Sequence, residues 1–170
     1  MEGTIVKGIG GFYYVKTAKK IYQCKARGIF RKDGMTPYVG DQVEIEPLDD
    51  EEAVITRIFP RRNQFIRPPV ANVDCLIITA AVKKPELNLY IIDKFLIMAE
   101  YQHTDIGICL NKMDLAEPGE IDAFRKIYEG VYPVLCVSGK TGEGLSELQR
   151  FLNGRKCAFA GPSGGGKSTL

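Results

Sequence analysis

The segment Gly161-Pro162-Ser163-Gly164-Gly165-Gly166-Lys167-Ser168 restricts the fold of this chain more than any other stretch. It satisfies G-x-x-x-x-G-K-[ST], whose fixed positions would coincide by chance in a chain of this size with a probability of roughly one per cent. Glycines let successive backbone N–H groups turn inward around a phosphate with no Cβ in the way. Lys167 sets a point charge against β- and γ-phosphates, and the Ser168 hydroxyl suits Mg²⁺. Thr169 belongs to the helix expected next, whose N-terminal N–H groups would face the same anion. The apolar run Cys157–Ala160 leads directly into the loop, so the local order is strand, loop, helix. A glycine-rich surface turn would need that strand by coincidence.

A second motif, Asn111-Lys112-Met113-Asp114, ends the apolar run Asp105–Leu110. Ligands of open parallel sheets bind at such strand ends. Guanine presents two adjacent donors where adenine does not, and the carboxylate of Asp114 accepts both. Adenine would leave that carboxylate unpaired. The Lys112 stem can lie across a base plane, and Asn111 can tie neighbouring loops together. Alone, the four residues are equally a commonplace strand-end turn. Ser138-Gly139-Lys140, after the run Val134–Val137, adds a third loop of the kind that holds the base in GTPases. Gly139 stands where alanine is usual, which keeps the backbone N–H and loosens the loop.

From Val73 onward, strands and helices alternate. Strands are expected at Asp74–Ala81, Asp105–Leu110, Val134–Val137 and Lys156–Ala160, and helices at Asn88–Gln102, Gly119–Gly130 and Gly144–Leu152. Such alternation implies a parallel sheet with helices on both faces. Lys83-Lys84-Pro85 reads as a break. Residues 1–60 instead carry short β-branched and aromatic runs at Thr4–Lys7, Phe12–Lys16, Ile21–Ala26, Gln42–Glu46 and Ala53–Phe59. Turn residues separate them, with Asp49-Asp50-Glu51-Glu52 as an acidic hairpin tip. Five strands without a long helix fit a small closed barrel of OB or SH3-like type, between which periodicity does not decide. Residues 61–72 read as a basic, proline-containing linker.

The order of the motifs is the anomaly. An ordinary P-loop GTPase places its phosphate loop first and Asn-Lys-x-Asp about a hundred residues later, whereas here the base motif comes first and the phosphate loop last. A circularly permuted sheet assembles the same site in either order. A β-barrel followed by a permuted GTPase domain resembles the ribosome small-subunit-dependent GTPase A family of bacteria. The carriers are Val39-Gly40-Asp41-x-Val43, Arg61-Arg62-Asn63, Ala71-Asn72-Val73-Asp74, Asn111 to Asp114 and Gly161 to Thr169, and the resemblance covers essentially all 170 residues.

That resemblance implies an OB-fold barrel over 1–60, a linker over 61–72 and the first part of a permuted α/β GTPase domain over 73–170. It implies a factor that binds GTP and GDP with Mg²⁺ on Ser168 and hydrolyses GTP under stimulation by the small (30S) subunit. It further implies action late in maturation of that subunit, contact with 16S rRNA, a monomeric state and a zinc-binding C-terminal domain whose ligands lie outside this sequence. Candidate RNA contacts are Arg27, Arg31, Arg57, Arg61, Arg62 and Arg67 with Phe12, Tyr13, Tyr14 and Phe30, although each is equally a solvated or core residue. The sequence stops at Leu170, before the family's switch regions and Asp-x-x-Gly motif. It is read as part of a longer protein, and these 170 residues alone are not expected to hydrolyse GTP. No catalytic residue is named, and the lone His103 reads as a surface residue.

Composition narrows the alternatives. Residues 1–70 hold twelve Lys and Arg against nine Asp and Glu, so the mild basic surplus lies in the barrel half. The five cysteines form no C-x-x-C pair, and Cys75, Cys109 and Cys136 sit in apolar runs as small hydrophobes, which suits a reducing cytoplasm. No apolar run has the length of a membrane span, and the start is not a signal peptide, so a cytoplasmic protein is expected. Two rivals remain: a non-catalytic RNA-binding assembly protein with nucleotide as structural ligand, and an ATP-binding, kinase-like P-loop protein.

Overall fold

Alternating burial builds much of the N-terminal sheet: Gly3 and Ile5, Tyr22 and Cys24, Val43 and Ile45, and Ala53 and Ile55 are buried at every second position, as a half-buried pleat requires. In the computed structural model these strands are β1 (Glu2–Ile9), β2 (Phe12–Lys16), β3 (Ile21–Ala26), β4 (Gln42–Pro47) and β5 (Glu52–Ile58). The structure describes residues 1–28, 30 and 34–170. Ile5, Val15, Tyr22, Cys24, Val43, Ile45, Ala53 and Ile55 fill the interior. The strands close in the order β1-β2-β3-β5-β4, with β4 returning antiparallel to β1 and with β3 and β5 parallel. That circuit is of the OB type and sets the SH3-like alternative aside. At the acidic hairpin tip, Asp49 Oδ1 accepts from the N–H groups of Glu51 and Glu52 at 2.7 and 2.6 Å.

Residues 61–72, expected as a basic, proline-containing linker, hold a short hairpin. β6 (Gln64–Phe65) pairs antiparallel with β7 (Val70–Ala71), and the side chains of Phe65 and Ala71 are fully buried. Arg61 explains the docking. Its Nε and Nη2 donate to the two carboxylate oxygens of the fully buried Asp41 at 2.7 Å each, and Nη2 also donates to Thr36 O at 2.6 Å. The guanidinium stacks 4.5 Å from the Tyr38 ring centroid. A buried carboxylate needs such a partner, and a bidentate arginine supplies it. The prolines therefore mark a hairpin turn, and the chain divides into compact units at Met1–Asn72 and Val73–Leu170.

The second unit contains four parallel strands in the order β10-β9-β8-β11: β8 (Cys75–Ala81), β9 (Asp105–Asn111), β10 (Val134–Cys136) and β11 (Cys157–Ala160). All seven residues of β8 are buried, as expected of a strand covered on both faces. Between the strands run α1 (Leu89–Tyr101), α2 (Glu120–Tyr128) and α3 (Leu145–Leu152). Asn88 caps α1 by accepting from Ile91 N at 3.3 Å, and Ile92, Leu96 and Ala99 bury its inner face. α3 sets Leu148 against Cys75, Ile77, Cys109, Leu135 and Val137. The strand C-termini thereby share one edge, and the loops that leave it carry the motifs.

Candidate nucleotide-binding site

Asn111, the last residue of β9, is buried and its amide faces two ways. Nδ2 donates to Gly165 O at 3.1 Å, while Oδ1 accepts from Gly139 N at 3.1 Å and from Lys112 N at 2.7 Å. One side chain thus joins the phosphate-loop sequence, the base motif and the Ser138–Lys140 loop. Lys112 adopts a left-handed conformation (φ 61°), which turns its chain away from the strand into the short 3-10 turn Met113–Leu115. Its Nζ donates to Gly164 O at 2.8 Å and also to Lys84 O. Asp114 is exposed, with one carboxylate oxygen accepting from the buried Ser138 hydroxyl at 2.6 Å. Ser138 Oγ in turn accepts from Thr141 N at 3.2 Å, so the base-side loops are cross-braced.

Two glycines of the phosphate loop are required by close approach. A Cβ on Gly161 (φ 135°) would lie 2.1 Å from Thr79 O, and one on Gly166 (φ 91°) 2.1 Å from Asn111 Nδ2. Gly165 is buried beneath the loop, while Ser163, Gly164 and Ser168 are exposed on its outer side. Lys167 folds over the loop and donates to Gly161 O at 3.0 Å and Pro162 O at 2.7 Å. Thr169 N and Leu170 N both donate to Gly166 O, at 3.0 and 3.3 Å, which closes a turn. A Cβ on Gly139 would meet Thr169 Cγ2 at 3.1 Å, so glycine there makes room for that turn. Lys140 is exposed at the rim.

These donors suit an anion flanked by a planar base. The loop supplies glycine N–H groups and an ammonium, and the Asp114 carboxylate lies on the base-motif side. Mg²⁺ takes oxygen ligands and keeps waters and phosphates among them, so one hydroxyl such as Ser168 Oγ is a fitting protein contribution. No group of three His, Cys, Asp or Glu side chains converges among the described residues.

Three residues escaped the motifs. Thr79, on β8, underlies the loop: its carbonyl faces Gly161 and Gly165, and its buried hydroxyl has no partner among the described residues. Lys84 and Pro85, read only as a break, touch Lys112 and Gly164. No spacing rule marks a backbone carbonyl for such a role. Lys83 pairs with Glu117 at 2.6 Å and Glu120 at 3.4 Å, and the Glu117 hydrogen bond holds its ammonium above the usual lysine range. His103 follows α1 in a left-handed conformation (φ 49°) before the N-terminal end of β9, away from this edge.

The barrel candidates divide. Arg61 is committed to Asp41, Arg27 pairs with Glu46 at 2.9 Å, and Phe30 is buried in the barrel core. Those engagements make Arg61 a structural residue and remove Phe30 as a stacking platform. Phe12 and Tyr14 lie half-buried with Lys25 and Lys7 over their rings at 5.2 and 5.4 Å, and Tyr13 is half-buried beside them. Arg57 stacks on Phe59, Arg62 donates to Asn72 O at 3.3 Å, and Arg31 lies outside the described residues.

Residues 58–170 match the family model of the RsgA GTPase, and residues 2–55 that of the RsgA N-terminal domain. The chain is 48% identical to the small ribosomal subunit biogenesis GTPase RsgA of Alkaliphilus metalliredigens, over 99% of its own length and 59% of that protein's. Among solved structures it is similar to YjeQ from Thermotoga maritima, with a TM-score of 0.83 and 38% identity over 99% of this chain and 62% of that one. It is likewise similar to YloQ, a circularly permuted GTPase, with a TM-score of 0.77 and 36% identity over the same shares. The chain therefore spans about three fifths of the length of the relatives it matches. With both units matched and the motifs on one sheet edge in permuted order, the chain belongs to the RsgA GTPase family.

Proposed function

We propose that this chain carries the guanine-nucleotide site of a GTPase that acts in biogenesis of the small ribosomal subunit. The observation that carries the reading is the double engagement of Asn111, which ties the phosphate loop to both base-side loops through one buried amide. Lys112, Met113, Asp114 and Ser138–Lys140 enclose the base, with Asp114 accepting its two donors. Gly161, Pro162, Ser163, Gly164, Gly165 and Gly166 wrap the phosphates, and Lys167, Ser168 and Thr169 complete that end. Ser168 would hold Mg²⁺, which would supply charge neutralisation at the phosphates. Lys167 swings from the loop carbonyls to the γ-phosphoryl, where its charge offsets that of the transferring group.

The relatives' name supports assembly with the small subunit. The finer reading is GTP turnover stimulated by that subunit late in its maturation, by a cytoplasmic monomer. The barrel, which holds the basic surplus, meets 16S rRNA through its lysine-capped aromatics, and a zinc-binding domain follows as in the family.

The test, on the full-length protein, measures phosphate release from GTP and from ATP, with and without small subunits. The expected result is GTP preference and stimulation by the subunits. Lys167→Ala lowers turnover about a hundredfold, and Asp114→Asn removes guanine preference by about the same factor. Unchanged turnover in Lys167→Ala sinks the phosphate-loop assignment. GTP binding without any release, at every subunit concentration, favours the non-catalytic assembly protein instead. Equal use of ATP that Asp114→Asn leaves untouched returns the chain to a general P-loop protein.

A further inference from the structure

We infer that the turn Lys84–Pro85, between β8 and α1, is a positioning element of the nucleotide site that acts through Lys112; this rests on the nucleotide-site reading above. An ammonium has three N–H donors and a flexible stem. The Lys112 ammonium meets two carbonyls from segments far apart in sequence, Gly164 O in the phosphate loop and Lys84 O in the turn. With both acceptors in place the stem is held at its tip as well as its root, across the side where a base would lie. With Gly164 alone the tip would be fixed to the loop only, and would follow each loop movement.

The turn is itself well anchored. Val82 N donates to Asn111 O at 3.0 Å, Lys83 is paired with Glu117 and Glu120, and Asn88 caps α1 just beyond. Pro85 lies beside the same glycine whose carbonyl Lys112 uses, where a Cβ on Gly164 would come within 3.2 Å of Pro85 Cδ. Gly164 (φ 79°) is open to that approach because it is glycine. Lys84 reaches Lys112 only by taking a left-handed conformation (φ 55°), which a lysine adopts at a cost. The fold keeps that strained residue where its carbonyl faces the ammonium of a base-motif lysine, a pattern associated with functional sites. The side chain of Lys84 is exposed, so the role belongs to the backbone.

The test is a double-mutant cycle read by fluorescent GDP binding. Lys84→Val, whose β-branched side chain disfavours positive φ, weakens binding about tenfold. Lys84→Gly, which keeps the carbonyl and relieves that cost, binds at least as tightly as the parent. In a Lys112→Ala background, Lys84→Val changes binding by less than about twofold, because the lever is gone. Where Lys112→Ala binds too weakly to titrate, amide exchange over residues 163–166 reads the same coupling: Lys84→Val speeds it relative to Lys84→Gly when Lys112 is present and leaves it unchanged in the Lys112→Ala background. Equal loss in both backgrounds overturns the inference by making the effect merely structural, as does no loss in Lys84→Val. Failure of the parent protein to bind GDP at all would overturn the nucleotide-site reading instead.

Discussion

Buried thiols show how strongly local environment governs single residues in this molecule. Loss of hydration pushes Cys75 and Cys109 up to about 12 and Cys24 up to about 11, from an ordinary 9.0. At pH 8 iodoacetamide should modify Cys157 first, because it is partly exposed even though burial raises its thiol too, and leave those three intact in the folded protein; intact mass and peptide mapping read the result. Early labelling of Cys75 would contradict the packing beneath β8. The folded state favours the neutral thiols, so their contribution to stability is complete below pH 9.0 and is lost as pH rises through about 11 to 12. Denaturation midpoints in urea should fall across that alkaline window. Burial of Cys75, Cys109 and Cys136 is legible in the sequence because each sits in an apolar run. The burial of Asp41 is not, since its partner Arg61 lies 20 residues away and no periodicity connects them.

At the scale of elements, the phosphate loop depends on absent side chains. Replacing Gly166 by alanine sets a Cβ 2.1 Å from Asn111 Nδ2 and strains a residue at φ 91°. Strain and the lost Asn111–Gly165 hydrogen bond together predict a loss of GDP affinity of about 30- to 100-fold by calorimetry. Far-UV dichroism should stay unchanged, because the sheet itself is untouched. The regular elements are legible to within about two residues, for physical reasons. β8 and β9 are continuous apolar runs, α1 repeats its apolar residues at three and four, and Asn88, Gly119 and Gly144 mark helix starts. The β6–β7 hairpin is not legible because its strands have two residues each, and tertiary contacts rather than pattern define it. The Lys84–Pro85 turn is hidden for a related reason: its contact uses a carbonyl, which every residue has.

At the scale of the whole molecule, the barrel unit ends at Asn72 and includes the hairpin. A fragment of residues 1–72 should unfold cooperatively in urea, whereas 1–60 should not fold stably. The shorter fragment lacks Arg61 and leaves the Asp41 carboxylate buried without its ion pair, at a cost of about 3–5 kcal/mol. That is comparable to much of a small domain's stability. A cooperative 1–60 would show that the hairpin is only an ornament of the barrel. The permuted order of the motifs was legible because residue types at fixed spacing survive any rearrangement of the chain, and strand ends gather at one edge whichever loop comes first. The order matters in another respect, that of time. Asn111 and its partner Gly165 are 54 residues apart, and the base motif is synthesised first. At about 5–20 residues per second, the nascent chain displays the proposed base-reading loop for about 3–10 s before the proposed phosphate-binding loop exists to meet it. In an unpermuted relative the phosphate loop would be the one to wait. Permutation thus leaves the finished pocket alike while reversing which half of a nucleotide a growing chain could first touch.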